Sequence, residues 1–236
     1  MSGMAEHLYT DHPDLYDAIQ SGWDYDRDVS FVLDALERHG VDGRRLLEIG
    51  CGTGEHTCRF DSAGFEVTAV DKYEGMLDRA REKCDLNYRQ DALPALSVGG
   101  KYDIVVAIRG VINHVQPDAL EPAIGALASR VSNGGILVFD NAPLPPGGNE
   151  PALDVGATDA GQYVRVAHHA PAGSGTLDWR AVTFTSDGEC FVNSRKMTPF
   201  ADGAITEALA QHGLEVETHD GYGAGDSRTV FVARQK

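Results

Sequence analysis

The residues of this chain best suited to chemistry fall at three junctions. The first is Leu46–Thr57, LLEIGCGTGEHT, where an apolar run and an acid, Glu48, lead into Gly50, Gly52 and Gly54 at every second position. Glycine reaches positive φ and lets a ligand approach the backbone with no Cβ in the way, so three in five residues at a strand-to-helix junction predict a turn built around something bound. The second is VTAVD, which closes on Asp71 about twenty residues later. Its carboxylate can accept the two hydroxyls of a ribose, or it can simply cap the next helix. The third is YDIVVAIRGVINHV, which carries Ala107, Ile108, Arg109 and His114 to a strand exit. An imidazole titrating near neutrality can take a proton from an acceptor or orient its lone pair, or it can cap the following helix; a guanidinium recognises a carboxylate or phosphate.

The glycine spacing narrows what the turn binds. A dinucleotide fingerprint needs G-x-G-x-x-G, whereas this order is G-x-G-x-G, and no Lys-Ser/Thr follows to make a phosphate loop. Glu48 would also set a negative charge near any pyrophosphate.

In the form (E/D)-x-G-x-G-x-G the stretch resembles the first motif of class I S-adenosylmethionine-dependent methyltransferases. The resemblance implies S-adenosyl-L-methionine as cofactor, with Gly50, Cys51 and Gly52 against its methionine half and Glu48 toward the ammonium. It implies that Asp71 takes the ribose hydroxyls and that Lys72 and Met76 flank the adenosine. In YRQDALPAL, Asp91 and Ala92 would meet the adenine, and Ala107 and Ile108 would complete the cofactor wall. The opening DLYDAIQSGWDYDRDVSFV is similar to that of small-molecule N-methyltransferases, notably those acting on amino-sugars, whose Y-D motif lays a tyrosine over the transferred methyl; Tyr16 matches it. His114 falls where those enzymes often have His or Tyr, which makes Tyr16 and His114 the catalytic candidates. Arg109 departs from the small or apolar residue expected there, and with His114 it is the candidate to bind substrate. The N/D-P-P-Y/F motif of base and glutamine N-methyltransferases is absent.

The elements that must position these residues alternate. Apolar residues at helical spacing over Tyr25–His39 stop at Gly40, and strands are expected at Arg45–Ile49, Glu66–Val70, Asn87–Asp91, Tyr102–Ile108 and Gly135–Asp140, the last after an Asn133-Gly134-Gly135 turn. Helices at Glu55–Ala63, Gly75–Lys83 and Asp118–Val131 separate them, which predicts an α/β, doubly wound, mostly parallel sheet. After the Pro/Gly run PLPPGGNEP the rhythm changes: Gln162–Ala167, Thr176–Thr185 and Glu189–Met197 alternate as antiparallel strands do. A helix at Ile205–His212 and strands at Leu214–Thr218 and Arg228–Ala233 bring the main sheet to seven strands. The expected organisation is residues 1–143 as N-terminal cap and cofactor-binding core, 144–200 as an inserted antiparallel lid on the substrate side, and 201–236 returning to the core.

Composition bounds the partners. The net charge is −16, with 23 Asp, 13 Glu, 15 Arg and only 5 Lys, which argues against nucleic acid or an anionic membrane and is the pattern of a protein kept soluble at high salt. No long apolar stretch suggests a membrane span, and the acidic opening is unlike a secretory signal, so the cytoplasm is expected. Cys51, Cys58, Cys84 and Cys190 show no ligand spacing and read as small buried hydrophobes, and neither a metal nor a disulfide is expected. The partners expected are a small-molecule methyl acceptor and, as an open option, a second copy of the chain. The reading is in-line methyl transfer to an amine of a small molecule, with a small-molecule O-methyltransferase and a non-catalytic adenosylmethionine-binding module as the alternatives.

Overall fold

The computed structural model describes residues 6–235. Two short helices, α1 (His7–Thr10) and α2 (Pro13–Gln20), precede α3 (Tyr25–His39). The Asp24 side chain caps α3 by accepting from the Arg27 N–H at 2.9 Å, and Gly40, at φ +64°, ends it. Strands β1 (Arg45–Ile49), β2 (Glu66–Asp71), β3 (Asn87–Gln90), β4 (Tyr102–Ala107) and β5 (Val131–Asn141) alternate with α4 (Glu55–Ser62), α5 (Glu74–Lys83) and α6 (Leu120–Ala128). Four strands follow, β6 (Ala152–Thr158), β7 (Gly161–Gly173), β8 (Thr176–Thr185) and β9 (Cys190–Met197), and then α7 (Asp202–Gln211), β10 (Leu214–Asp220) and β11 (Thr229–Gln235).

The main sheet has seven strands in the order β10-β11-β5-β4-β1-β2-β3, parallel from β5 to β3 and antiparallel at β11. Chain order reverses between β1 and β4, which places a crevice beyond their C-terminal ends, the usual ligand site of an open α/β sheet. Its strands are buried on both faces, Leu47, Val105, Leu137 and Phe231 toward one side and Leu46, Ile104, Val138 and Val232 toward the other. That is why they read as continuous apolar runs.

The second sheet, β6-β7-β8-β9, is antiparallel throughout. Its inner face supplies Tyr163, Trp179, Ala181 and Met197 to a third core shared with Leu8 and Leu15 of the N-terminal helices. The Leu8 N–H donates to Asn193 Oδ1 at 2.8 Å, so this sheet and the N-terminal helices are one packing unit.

Three expectations need correction. The Asn133-Gly134-Gly135 stretch lies inside β5 rather than before it: Val131 already pairs with Tyr102, and the register shift before the Ile104–Ile136 pair is absorbed around Gly134 at φ +80°. The helix expected over Asp118–Val131 is accordingly shorter. The cysteines are not four buried thiols: Cys58 and Cys84 form a disulfide between α4 and the end of α5, Cys51 is buried, and Cys190 is exposed. Nothing in the spacing of Cys58 and Cys84 announces the pairing, because β2 and α5 intervene.

Candidate functional site

The glycine turn leaves β1 through left-handed backbone at all three glycines, with φ of +71° at Gly50, +55° at Gly52 and +83° at Gly54. The Gly50 and Cys51 N–H groups both donate to the Val70 carbonyl, at 2.8 and 3.0 Å, which holds the turn to the end of β2. The glycines are not equivalent. A Cβ at Gly50 would lie 2.6 Å from Val111, and one at Gly54 3.0 Å from Ala80, whereas one at Gly52 would meet only the Tyr16 ring, at 3.9 Å. Gly50 and Gly54 are glycines because the fold is tight there. Gly52 is the one with room for a Cβ, which would rest in ordinary van der Waals contact with Tyr16.

Asp71, at the end of β2, ties into the same turn. Its Oδ2 accepts the Gly52 N–H and its Oδ1 the Tyr73 N–H, both at 2.9 Å. Each oxygen keeps a lone pair, and burial raises the carboxyl above its usual range against these backbone donors. Lys72 is exposed beside Glu6, and Met76 is buried on α5.

Two acids stand differently from expectation. Glu48 does not face the crevice: it is only 2% exposed, its Oε2 accepts the Thr57 hydroxyl at 2.6 Å, and burial pushes it up to about 8. It braces β1 against α4 beneath the turn as a mostly neutral acid at pH 7. Asp91 closes its own loop, its Oδ2 taking the Ser97 and Val98 N–H groups and the Ser97 hydroxyl while Oδ1 takes the Ala92 N–H. That leaves one lone pair of Oδ1 unused, with Ala92 beside it.

The Glu48 proton has a measurable consequence. Because the folded pKa lies above the ordinary value of 4.5, the folded chain holds a proton that the unfolded chain releases. The stability from this group is therefore full below pH 4.5 and lost as pH rises toward 8. Glu48→Gln keeps an acceptor for Thr57 and removes the titration, so at pH 8 it should exceed wild type by about 4 kcal/mol, at about 1.4 kcal/mol per pKa unit, and at pH 4.5 it should not. Chemical denaturation at the two pH values checks this, and a gap that is the same at both overturns it.

The N-terminal helices are pinned to the turn by Asp17, a residue passed over beside Tyr16 in the LYD stretch. Asp17 accepts the Thr53 hydroxyl at 2.5 Å, Arg79 Nε at 3.0 Å and Lys83 Nζ at 2.8 Å. This anchorage sets Tyr16 opposite Gly52. Tyr16 tilts on Tyr9 at 5.7 Å, Tyr9 stacks on Tyr73 at 5.0 Å, and the Tyr73 hydroxyl donates to Glu6.

At the β4 exit, Ala107 and Ile108 are buried and Arg109 adopts φ +68°. Asp140, at the end of β5, fixes this bend by accepting the Arg109 and Gly110 N–H groups and the Tyr222 hydroxyl. Burial raises Asp140 to about 6 despite Arg228 nearby. The Arg109 side chain turns inward. Its Nε donates to Asp28 Oδ2 at 2.6 Å, its guanidinium lies 4.5 Å from the Trp23 ring, and His56 and Arg27 also reach Asp28. Burial alone would raise Asp28, but His56 and Arg109 more than offset it and hold the carboxyl low. Arg109 is thus occupied by an internal ion pair and does not offer its fork to an acceptor, contrary to expectation.

His114 ends a 3₁₀ turn, Val111–His114. It is wetted, yet protein so encloses it that desolvation, with Lys72 adding to the effect, pushes it down to about 4. The imidazole is therefore neutral at pH 7. Lys72 and Glu6 are its charged neighbours, so His114 and Tyr16 share surroundings through Glu6, Tyr73 and Tyr9. Asn113 beside it is buried and donates to Asn141 Oδ1 at 2.7 Å and the Thr198 carbonyl at 2.9 Å.

Comparison with known proteins bears on this arrangement. Residues 46–135 match a family model described as a methyltransferase domain. Over 231 residues the chain is 26% identical to the dTDP-3-amino-3,4,6-trideoxy-alpha-D-glucopyranose N,N-dimethyltransferase of Streptomyces venezuelae, covering 94% of this chain and 97% of that protein. This chain is a class I S-adenosylmethionine-dependent methyltransferase. Solved structures share the fold: a sugar N-methyltransferase from Streptoalloteichus superposes with a TM-score of 0.84 at 23% identity, over 100% of this chain and 97% of that one. An amino pentose methyltransferase from Micromonospora echinaspora, with S-adenosylmethionine bound, superposes with a TM-score of 0.77 at 21% identity over 100% of both chains. The cofactor of the methyltransferase is S-adenosylmethionine, and the residues present fit it: a bare glycine faced by the Tyr16 ring and a buried carboxylate with free lone pairs adjoin at one sheet edge.

Proposed function

We propose that this methyltransferase transfers a methyl group to an amine nitrogen of a small molecule. The observation that carries this reading is the match along nearly the whole chain, inserted lid included, to a relative whose name describes dimethylation of a sugar amino group. When bound, S-adenosylmethionine supplies an electrophilic sulfonium methyl.

The chain's own residues supply alignment and a path for a proton. The bare backbone of Gly52 lets the methionine end approach the turn, and Asp71 accepts the ribose hydroxyls through the lone pairs its backbone bonds leave free. Tyr16, set against Gly52 by Asp17, covers the place where the methyl is presented. His114 is neutral at working pH and accepts the proton the amine sheds as its lone pair engages. The lid's inner face encloses the acceptor and excludes water. Turnover tests this: a panel of small amines and their hydroxyl counterparts is incubated with S-adenosylmethionine, and products are read by mass spectrometry. Methylated amines are expected, and methylation confined to hydroxyls overturns the reading.

The role of Asp71 can be isolated even though it also braces the turn. Asp71→Ala should weaken cofactor binding by about 1–3 kcal/mol, the range for losing charge-assisted hydrogen bonds. Loss of the ribose contact itself shows as coupling: a 2′-deoxy analogue should bind wild type more weakly than the full cofactor does, and should cost Asp71→Ala nothing further. Equal losses in both proteins, read by calorimetry, place the hydroxyl on another residue.

A further inference from the structure

The lid carries a guanidinium with nothing to bond. On β9, residues alternate between faces, and Arg195 points inward with Asn193 and Met197, directly across the strand pair from Trp179. Its guanidinium carbon lies 4.2 Å from the Trp179 ring centre and 4.9 Å from that of Tyr9. Two aromatic rings thus pack against it. Its Nε and Nη1 are out of solvent and have no hydrogen-bond partner among the described residues.

This is an odd arrangement for this chain. There are 36 acids against 20 Lys and Arg, and Arg27, Arg59, Arg79, Arg81, Arg109 and Arg228 all reach carboxylates. An arginine desolvated with its donors unmet costs free energy that a single acid nearby would recover. The acid whose charge reaches it most, Glu6, is already taken up by the Tyr73 hydroxyl and Lys72. Burial pushes Arg195 down to about 10, still charged at neutral pH. The site is also well placed. Tyr9, against Arg195, tilts on Tyr16, which faces Gly52, while Glu6 is the acid that also reaches His114.

We propose that Arg195 is the anion-recognising residue of the acceptor site, its unbonded N–H groups taking an oxyanion, a carboxylate or a phosphoryl group, that the amine acceptor carries. The proposal rests on the reading of Tyr16 and His114 as the residues that face the acceptor. The planar fork suits both kinds of oxyanion, and the aromatic packing holds its orientation in advance of binding. An acceptor with the same amine and no negative charge would leave those donors unmet and bind less well, so Arg195 sets specificity without touching the reacting atoms.

The test uses the full chain loaded with S-adenosylhomocysteine, titrated calorimetrically with inorganic pyrophosphate as the phosphoryl probe and malonate as the carboxylate probe. Wild type should bind at least one of them, and which one identifies the source of the oxyanion. Affinity should fall at least about tenfold in Arg195→Gln and be only partly restored in Arg195→Lys, which keeps the charge and loses the fork. Arg195→Met, which preserves an apolar stem between the rings, serves as a second variant and should lose the probe while melting no lower than wild type. Absence of binding by wild type to either probe overturns the proposal, as does unchanged probe affinity in the variants. Affinity for S-adenosylmethionine is measured alongside: it should be the same in wild type and Arg195→Gln. A drop there assigns the oxyanion to the cofactor's own carboxylate and overturns the proposal, whereas failure of wild type to bind S-adenosylmethionine at all would sink the methyltransferase reading instead.

Discussion

Gly52→Val should bind S-adenosylmethionine more weakly than wild type by about a thousandfold or more while remaining folded. The two halves of that expectation come from different features of one residue. At φ +55° a β-branched side chain is strained by about 1–2 kcal/mol, which a domain of this size survives. The new methyl groups have no wall to strike except the Tyr16 ring, so the fold can accommodate them. They cover the bare backbone on which the methionine end of the cofactor would rest. Three factors of ten, about 4 kcal/mol, is a modest expectation for a blocked cradle. Gly50→Val is the instructive contrast: with Val111 at 2.6 Å it should damage folding itself, so it cannot report on binding alone. Calorimetry with S-adenosylmethionine, paired with thermal melts, separates the two. Wild-type affinity in Gly52→Val would remove the turn from the cofactor site.

His114→Asn should lower kcat by about 10²- to 10⁴-fold with cofactor affinity nearly unchanged, the range for loss of a general base. From the residue type alone the protonic limb of the rate profile belongs near neutrality. The structure moves it. With the imidazole pushed down to about 4, His114 stays an unprotonated base across the working range, and its limb in kcat falls near pH 4, activity being lost below it. At saturating acceptor that low-pH limb should be present in wild type and missing from His114→Asn, provided the protein stays folded, which circular dichroism at each pH establishes. A variant that turns over at the wild-type rate, limb included, would make His114 a structural residue.

The parallel core was legible because its physics is local. Strands buried on both faces spell themselves out as apolar runs, and β1, β2 and β4 fall within a residue of expectation, as does α3, whose Asp24 cap and Gly40 stop are both in the sequence. Side-chain destinations were not legible where the partner is remote. Arg109 reads as a free cation because Asp28, 81 residues earlier, looks like any acid in the first turn of a helix. Glu48 reads as a charge for a ligand, yet whether an acid beside a turn faces the crevice or lies under it depends on Thr57 and the packing of α4. Asp91 is absorbed by backbone N–H groups of a loop whose path no periodicity describes. Strand β6 was missed altogether: as an edge strand with one face of Leu153 and Val155 exposed, it follows a proline-rich run and lacks the apolar density that marks a strand.

The hydrogen bonds of Asn113 give the molecule a mechanical property as well as a static one. Asn113 holds the end of β5 through Asn141 and the end of β9 through Thr198, whose own N–H returns to the Asn113 carbonyl at 2.8 Å and whose hydroxyl donates to Val115. His114 lies between those two anchored residues. The second sheet is therefore tied to the very turn that carries the imidazole, so any shift of β9 would pull on the peptide units either side of His114. The position of β9 and the angle of the imidazole are thereby coupled along a single lever, and a substitution at Thr198 should disturb both together.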